Sequence, residues 1–88
     1  RIELGEIEAA ASALDCVTAC AAVYDSDRDK IILVYEGKKR EITDILSELR
    51  VRLPEYMMPQ TVKRIKAMPH NANGKIDRKL LQNNLEEI

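Results

Sequence analysis

Two apolar runs, Val17 to Tyr24 and Lys30 to Tyr35, are separated only by Asp25-Ser26-Asp27-Arg28-Asp29. That spacing constrains the fold more than any other feature of the chain. Valines and small residues in the first run, and Ile31, Ile32, Leu33 and Val34 in the second, suit buried strands. A polar turn of about five residues joins strands only as an antiparallel hairpin, because a parallel crossover needs a dozen residues or more.

The flanking segments read as helices. Glu6 to Leu14 is rich in helix formers, with Ile7, Ala10, Ala11 and Leu14 on one face. After Gly37-Lys38-Lys39, the residues Ile42, Ile45, Leu46, Leu49 and Leu53 mark a second amphipathic helix, which Pro54 stops with Leu53 as its boundary. Pro59 should hold Met57 and Met58 extended. Gln60 to Lys66 predicts a third strand, with Val62 and Ile65 on different faces. Asn71-Ala72-Asn73-Gly74 is a turn, since Asn and Gly tolerate positive φ, and Asp77 can cap a last helix to Leu85 with Leu80, Leu81 and Leu85 inward. The expected fold class is therefore α+β: a small, mostly antiparallel sheet, made of a β-hairpin plus a further strand, packed with about three helices.

Composition narrows the function. At 88 residues the chain is one domain of modest expected stability. With no Trp, no Phe and three tyrosines, its core must come from Ile, Leu, Val, Ala and Met, and base stacking on aromatic platforms is disfavoured. Fourteen Lys and Arg against 15 acids give a net charge of −1, hence no global attraction to nucleic acid or to a membrane surface. No stretch has the roughly 18 apolar residues of a membrane span. Cys16 and Cys20, with His70 as the single histidine, fall short of a zinc set and read as reduced core thiols of a cytoplasmic protein. Residues four apart on a strand lie about 13 Å from each other, beyond disulfide reach. The start at Arg1, running almost directly into helical periodicity, suggests a fragment.

Chemistry concentrates in Asn73-Gly74-Lys75-Ile76-Asp77-Arg78-Lys79. A glycine turn places Lys75 just ahead of a capped helix, as a compact, mobile positive charge suited to phosphate and carboxylate oxygens. The start of the helix adds positive dipole. Alone, this segment is also what a surface turn with a solvated lysine looks like.

Three segments in order carry more: Arg1-Ile2-Glu3-Leu4-Gly5-Glu6-Ile7-Glu8, Leu53-Pro54-Glu55-Tyr56-Met57-Met58-Pro59, and Asn73 to Arg78. Together they resemble late core motifs of the adenylation domains of nonribosomal peptide synthetases and of the related D-alanine carrier-protein ligases. The resemblance implies that residues 1–88 are the C-terminal lid subdomain of an acyl-adenylate-forming ligase whose large N-terminal lobe is absent. It implies two steps: a carboxylic acid attacks the α-phosphate of ATP, and a carrier protein's phosphopantetheine thiol then captures the acyl-adenylate. Lys75 would be catalytic, contacting ATP and the substrate carboxylate in the first step. ATP and Mg2+ would be bound mainly by the large lobe, and no metal ligand is assigned to this chain. After a rotation of the lobe, the loop leading into Arg1 to Glu8 would line the thiol tunnel. The Asn-Gly-Lys wording favours an amino acid as substrate, since acyl-coenzyme A ligases usually show Ser-Gly-Lys. Pro69-His70-Asn71-Ala72 departs from the threonine and proline more often found ahead of the Asn.

Other readings remain for several residues. Glu3, Glu6 and Glu8 are acids favoured near a helix N-terminus, Tyr56, Met57 and Met58 are packing residues, and His70 is not a base. Lys63, Arg64 and Lys66 form a solvated strand face or a carrier-protein docking patch. The alternative to the ligase is a non-catalytic interaction module holding an acidic partner through Lys63 to Lys66 and Lys75 to Lys79.

Overall fold

The computed structural model describes residues 3–84. The hairpin forms as its spacing requires. Strand β1, Val17–Asp25, pairs antiparallel with β2, Lys30–Gly37, in a register that sets Ala22 opposite Leu33 and Asp25 opposite Lys30. Asp25 builds the turn: its Oδ1 accepts from the amides of Asp27 (3.1 Å) and Arg28 (3.3 Å), and its Oδ2 accepts from Arg28 Nη1 at 3.2 Å. This explains how a carboxylate is buried without cost from unmet hydrogen bonds.

Strand β2 is central, in the order β1-β2-β3. Ile31, Leu33 and Tyr35 enter one apolar cluster with helix α1, Leu4–Ser12, and helix α2, Ile42–Arg52, whereas Ile32 and Val34 enter a second with Leu81 of helix α3, Arg78–Asn83. Alternating side chains thus meet helices on both faces, which is why β2 reads as a continuous apolar run.

The third strand, β3, Thr61–Ile65, lies parallel to β2, with Ile32 opposite Thr61 and Glu36 opposite Ile65. The chain leaves β2, returns along α2 and re-enters the sheet in the same direction. The three helices and three strands give the expected α+β class, with a mixed sheet in which the hairpin is the antiparallel pair. Val62 joins the first cluster and Ile65 packs on the second, on opposite faces as read from the sequence.

Several local expectations shift. Helix α1 covers Leu4–Ser12 rather than Glu6 to Leu14; Ile7 and Ala11 are buried in it, and Leu14 is buried just beyond. Ile42 opens α2 but is 49% exposed, because the buried stripe begins a turn later at Ile45 and Leu49. Leu53 is extended (φ −125°, ψ 143°), as a pre-proline residue should be. Pro54 then opens a 3-10 turn, Glu55–Met57, so Met57 is not extended; Met58 is (φ −69°, ψ 133°). Helix α3 buries Leu81 and leaves Leu80 48% exposed, since neighbouring helix positions point about 100° apart. Leu85 lies outside the described residues, as do Arg1 and Ile2. Cys16, just ahead of β1, and Cys20, within it, are free and buried.

Candidate functional site

Lys75 sits on a loop that hydrogen-bonds to itself. The Asn71 amide donates to the Lys75 carbonyl (2.8 Å), the Gly74 amide to the Asn71 carbonyl (3.0 Å), and the Asp77 amide to the Pro69 carbonyl (2.8 Å), with His70 and Ile76 bridged antiparallel. Asn71 Oδ1 fills the interior of the turn by accepting from the amides of Asn73 (2.9 Å) and Lys75 (3.2 Å). Gly74 has φ +79°, the left-handed conformation that this turn requires. Both backbone polar groups of Lys75 are therefore engaged while its side chain is exposed. Among the described residues no carboxylate stands within ion-pair distance of its ammonium.

Helix α3 begins at the next step. Asp77 caps it, its Oδ1 accepting from the Leu80 amide at 3.0 Å. Ile76 packs on the second cluster and seats the loop against that face. At the loop's entry, the Met68 amide donates to Glu36 Oε1 at 2.8 Å.

One arrangement was not anticipated. Arg78, at the start of α3, grips Glu8 of α1 with two hydrogen bonds: Nε to Oε2 at 3.0 Å, and Nη2 to Oε1. Glu8 Oε2 also accepts from the Ala22 amide on β1 at 2.9 Å. With its side chain only 16% exposed, Glu8 is not one of the solvated acids of a helix start, as Glu3 and Glu6 are. The signal available in the sequence was that Glu8 and Arg78 close the first and last of the three segments with opposite charges.

Residues 6–75 match the family of AMP-binding enzyme C-terminal domains, spanning most of the chain and reaching Lys75 itself. This chain belongs to that family. As an AMP-binding C-terminal domain it is 39% identical to zwittermicin A synthase ZmaJ of Bacillus cereus and 39% identical to bacitracin synthase 3 of Bacillus licheniformis, each over 92% of the chain. It spans 16% and 1% of those proteins' lengths. Among solved structures it superposes on Klebsiella oxytoca NpsA in complex with 3-hydroxyanthranilyl-AMSN, with a TM-score of 0.90 at 26% identity, covering 98% of this chain and 18% of that one. It also superposes on holo-AB3403, a four domain nonribosomal peptide synthetase bound to AMP and glycine, with a TM-score of 0.74 at 35% identity over 90% of this chain and 6% of that one.

In this AMP-binding C-terminal domain the middle segment is mainly structural. Leu53, Met57 and Met58 are buried in the first cluster, whereas Tyr56 is 66% exposed and does not pack as the sequence led one to expect. The basic strand is only partly free: Lys63 and Lys66 are exposed, but Arg64 Nε donates to the Gly37 carbonyl at 2.7 Å. His70 contributes backbone to the Lys75 loop and is exposed.

Proposed function

We propose that residues 1–88 are the mobile C-terminal lid of an ATP-dependent ligase that activates an amino acid as its acyl-adenylate and passes it to a carrier protein. The observation that carries this reading is Lys75: a backbone-locked turn presents its ammonium to solvent, free of any carboxylate among the described residues. With its backbone fixed by the turn, only side-chain freedom is lost when this cation meets an anionic reacting centre supplied by another lobe.

In the first step the substrate carboxylate oxygen attacks the α-phosphorus of ATP and the bond to pyrophosphate breaks. Lys75 lies between the carboxylate and the phosphate oxygens, offsetting the charge that gathers there, worth about 3 kcal/mol in a dry site. In the second step the phosphopantetheine sulfur attacks the acyl carbon and AMP leaves. The lid turns between the steps, carrying Lys75 away. Mg2+ would be bound mainly by the large lobe, with one or two carboxylates and the phosphates of ATP as its usual ligands, and no step on this chain runs through it. An amino acid as substrate is supported by the Asn73-Gly74-Lys75 wording and by the likeness to a nonribosomal peptide synthetase bound to AMP and glycine. A cytoplasmic setting fits the free thiols, and none of the described helices is long and apolar enough to cross a membrane.

The test is Lys75→Ala in the intact enzyme. ATP–pyrophosphate exchange should slow by on the order of a hundredfold or more, while transfer from a preformed adenylate to the thiol changes little. Equal losses in both half-reactions, or none in the first, would remove Lys75 from the mechanism.

A further inference from the structure

The hydrogen bonds that shape the Lys75 loop are internal to residues 69–77. They fix the form of the loop but not its place on the domain. Its place is set by Ile76 packing on the second cluster, by Glu36 holding the Met68 amide at the entry, and by Arg78 holding Glu8 at the exit. The exit contact lies three residues beyond Lys75, whereas the entry contact at Met68 lies seven before it.

Glu8 belongs to α1, whose Ile7 and Ala11 pack in the first cluster, and Arg78 belongs to α3, whose Leu81 packs in the second. The pair therefore closes over the free edge of β1, where Glu8 also takes the Ala22 amide that has no partner strand on that side. A guanidinium gripping a carboxylate through two bonds sets both distance and orientation, which a single ammonium contact does not. Glu8 is itself fixed by the strand, so the exit of the loop is referred directly to the sheet.

We propose that Glu8 and Arg78 are positioning residues for adenylation, acting through Lys75 by holding its loop in register with the sheet. This rests on the assignment of Lys75 above. Neither side chain touches substrate. Their loss shifts the ammonium by an ångström or so, a displacement worth about tenfold to a hundredfold in rate.

The experiment is a double-mutant cycle in the intact enzyme with Arg78→Ala, Lys75→Ala and both together, read as the kcat of adenylation, with thiol transfer from preformed adenylate as the second readout. Arg78→Ala should lower the adenylation kcat at least tenfold, with KM for ATP and amino acid changed less than about twofold, and leave thiol transfer intact. Adding Arg78→Ala to Lys75→Ala should cost little more, because a positioning residue has nothing left to position. Arg78→Lys, which keeps the charge but not the fork, should recover only part of the rate, and it covers the case in which the alanine variant folds poorly. Hydrogen exchange by mass spectrometry should show residues 69–77 opening faster in Arg78→Ala while the β1–β2 hairpin is unchanged. Multiplicative losses in the cycle, equal losses in both half-reactions, or unchanged exchange in 69–77 would each overturn the proposal. If Lys75→Ala alone spares adenylation, the assignment of Lys75 fails instead, and the exchange measurement still reports on the clamp.

Discussion

Gly37 has φ +151° at the end of β2, and a Cβ built there would stand 1.9 Å from the Cys16 carbonyl oxygen and 3.0 Å from the Thr18 amide nitrogen. The Cys16 carbonyl is already committed to the Lys38 amide at 2.8 Å, so backbone, not a flexible side chain, would have to move. Gly37→Ala is expected to destabilise the domain by on the order of 3 kcal/mol, measured by urea unfolding. Cys20 offers a second check at the same scale. Burial raises its thiol pKa, while the hydrogen bond with Ser12 acts in the opposite sense. The native state then holds this proton more tightly than the unfolded chain. The associated stability is complete below the unfolded thiol value of about 8.5 and is lost as pH rises toward the higher folded value. Unfolding free energy should therefore fall on the alkaline side, and Cys20→Ala should flatten that fall. The conformation at Lys75 was legible in the sequence because Asn and Gly dictate turn geometry locally. The role of Glu8 was not, because its partner lies 70 residues away and the opposite charges at the ends of the two segments do not by themselves single out Glu8 from Glu3 and Glu6.

Helix α3 has six residues, too short to hold itself, and depends on its anchors. Leu81 is buried, Gln82 Nε2 donates to the Tyr24 carbonyl at 2.6 Å, and Asp77 satisfies the Leu80 amide. Removing the cap with Asp77→Ala should cost about 1 kcal/mol, and hydrogen exchange should show the loss within residues 77–83 rather than in the sheet. The cap was readable because a capping Asp acts on residues next to it in the chain. The direction of β3 was not, since a strand of five residues carries no mark of whether its neighbour runs with it or against it. Only the return path along α2 decides that. The start of β2 shows the same dependence: Gln60 Oε1 accepts from the Ile31 amide at 2.6 Å and the Gln60 amide donates to the Ile31 carbonyl at 3.0 Å, extending the parallel pairing through a side chain that the sequence does not single out.

At the scale of the molecule, the sheet divides the three segments between its faces. Leu4 and Ile7 of the first, and Leu53, Met57 and Met58 of the second, belong to one cluster, and Ile76 of the third belongs to the other. The chain of residues 1–88 alone, supplied with ATP and amino acids, should give no pyrophosphate exchange, whereas the intact enzyme should; exchange by the isolated chain would contradict the assignment of the nucleotide pocket to another lobe. The Glu8–Arg78 pair has a further consequence for biosynthesis. A ribosome delivers Glu8 long before Arg78, so the hairpin and α1 can assemble while Glu8 has only the Ala22 amide to hold. The second half of its partnership, Arg78, arrives 70 residues later. A nascent chain stopped before α3 would keep its first apolar cluster yet leave the second without Leu81 and the carboxylate half-satisfied. The Glu8–Arg78 pair thus ties the two apolar clusters together only once both ends of the domain have been made.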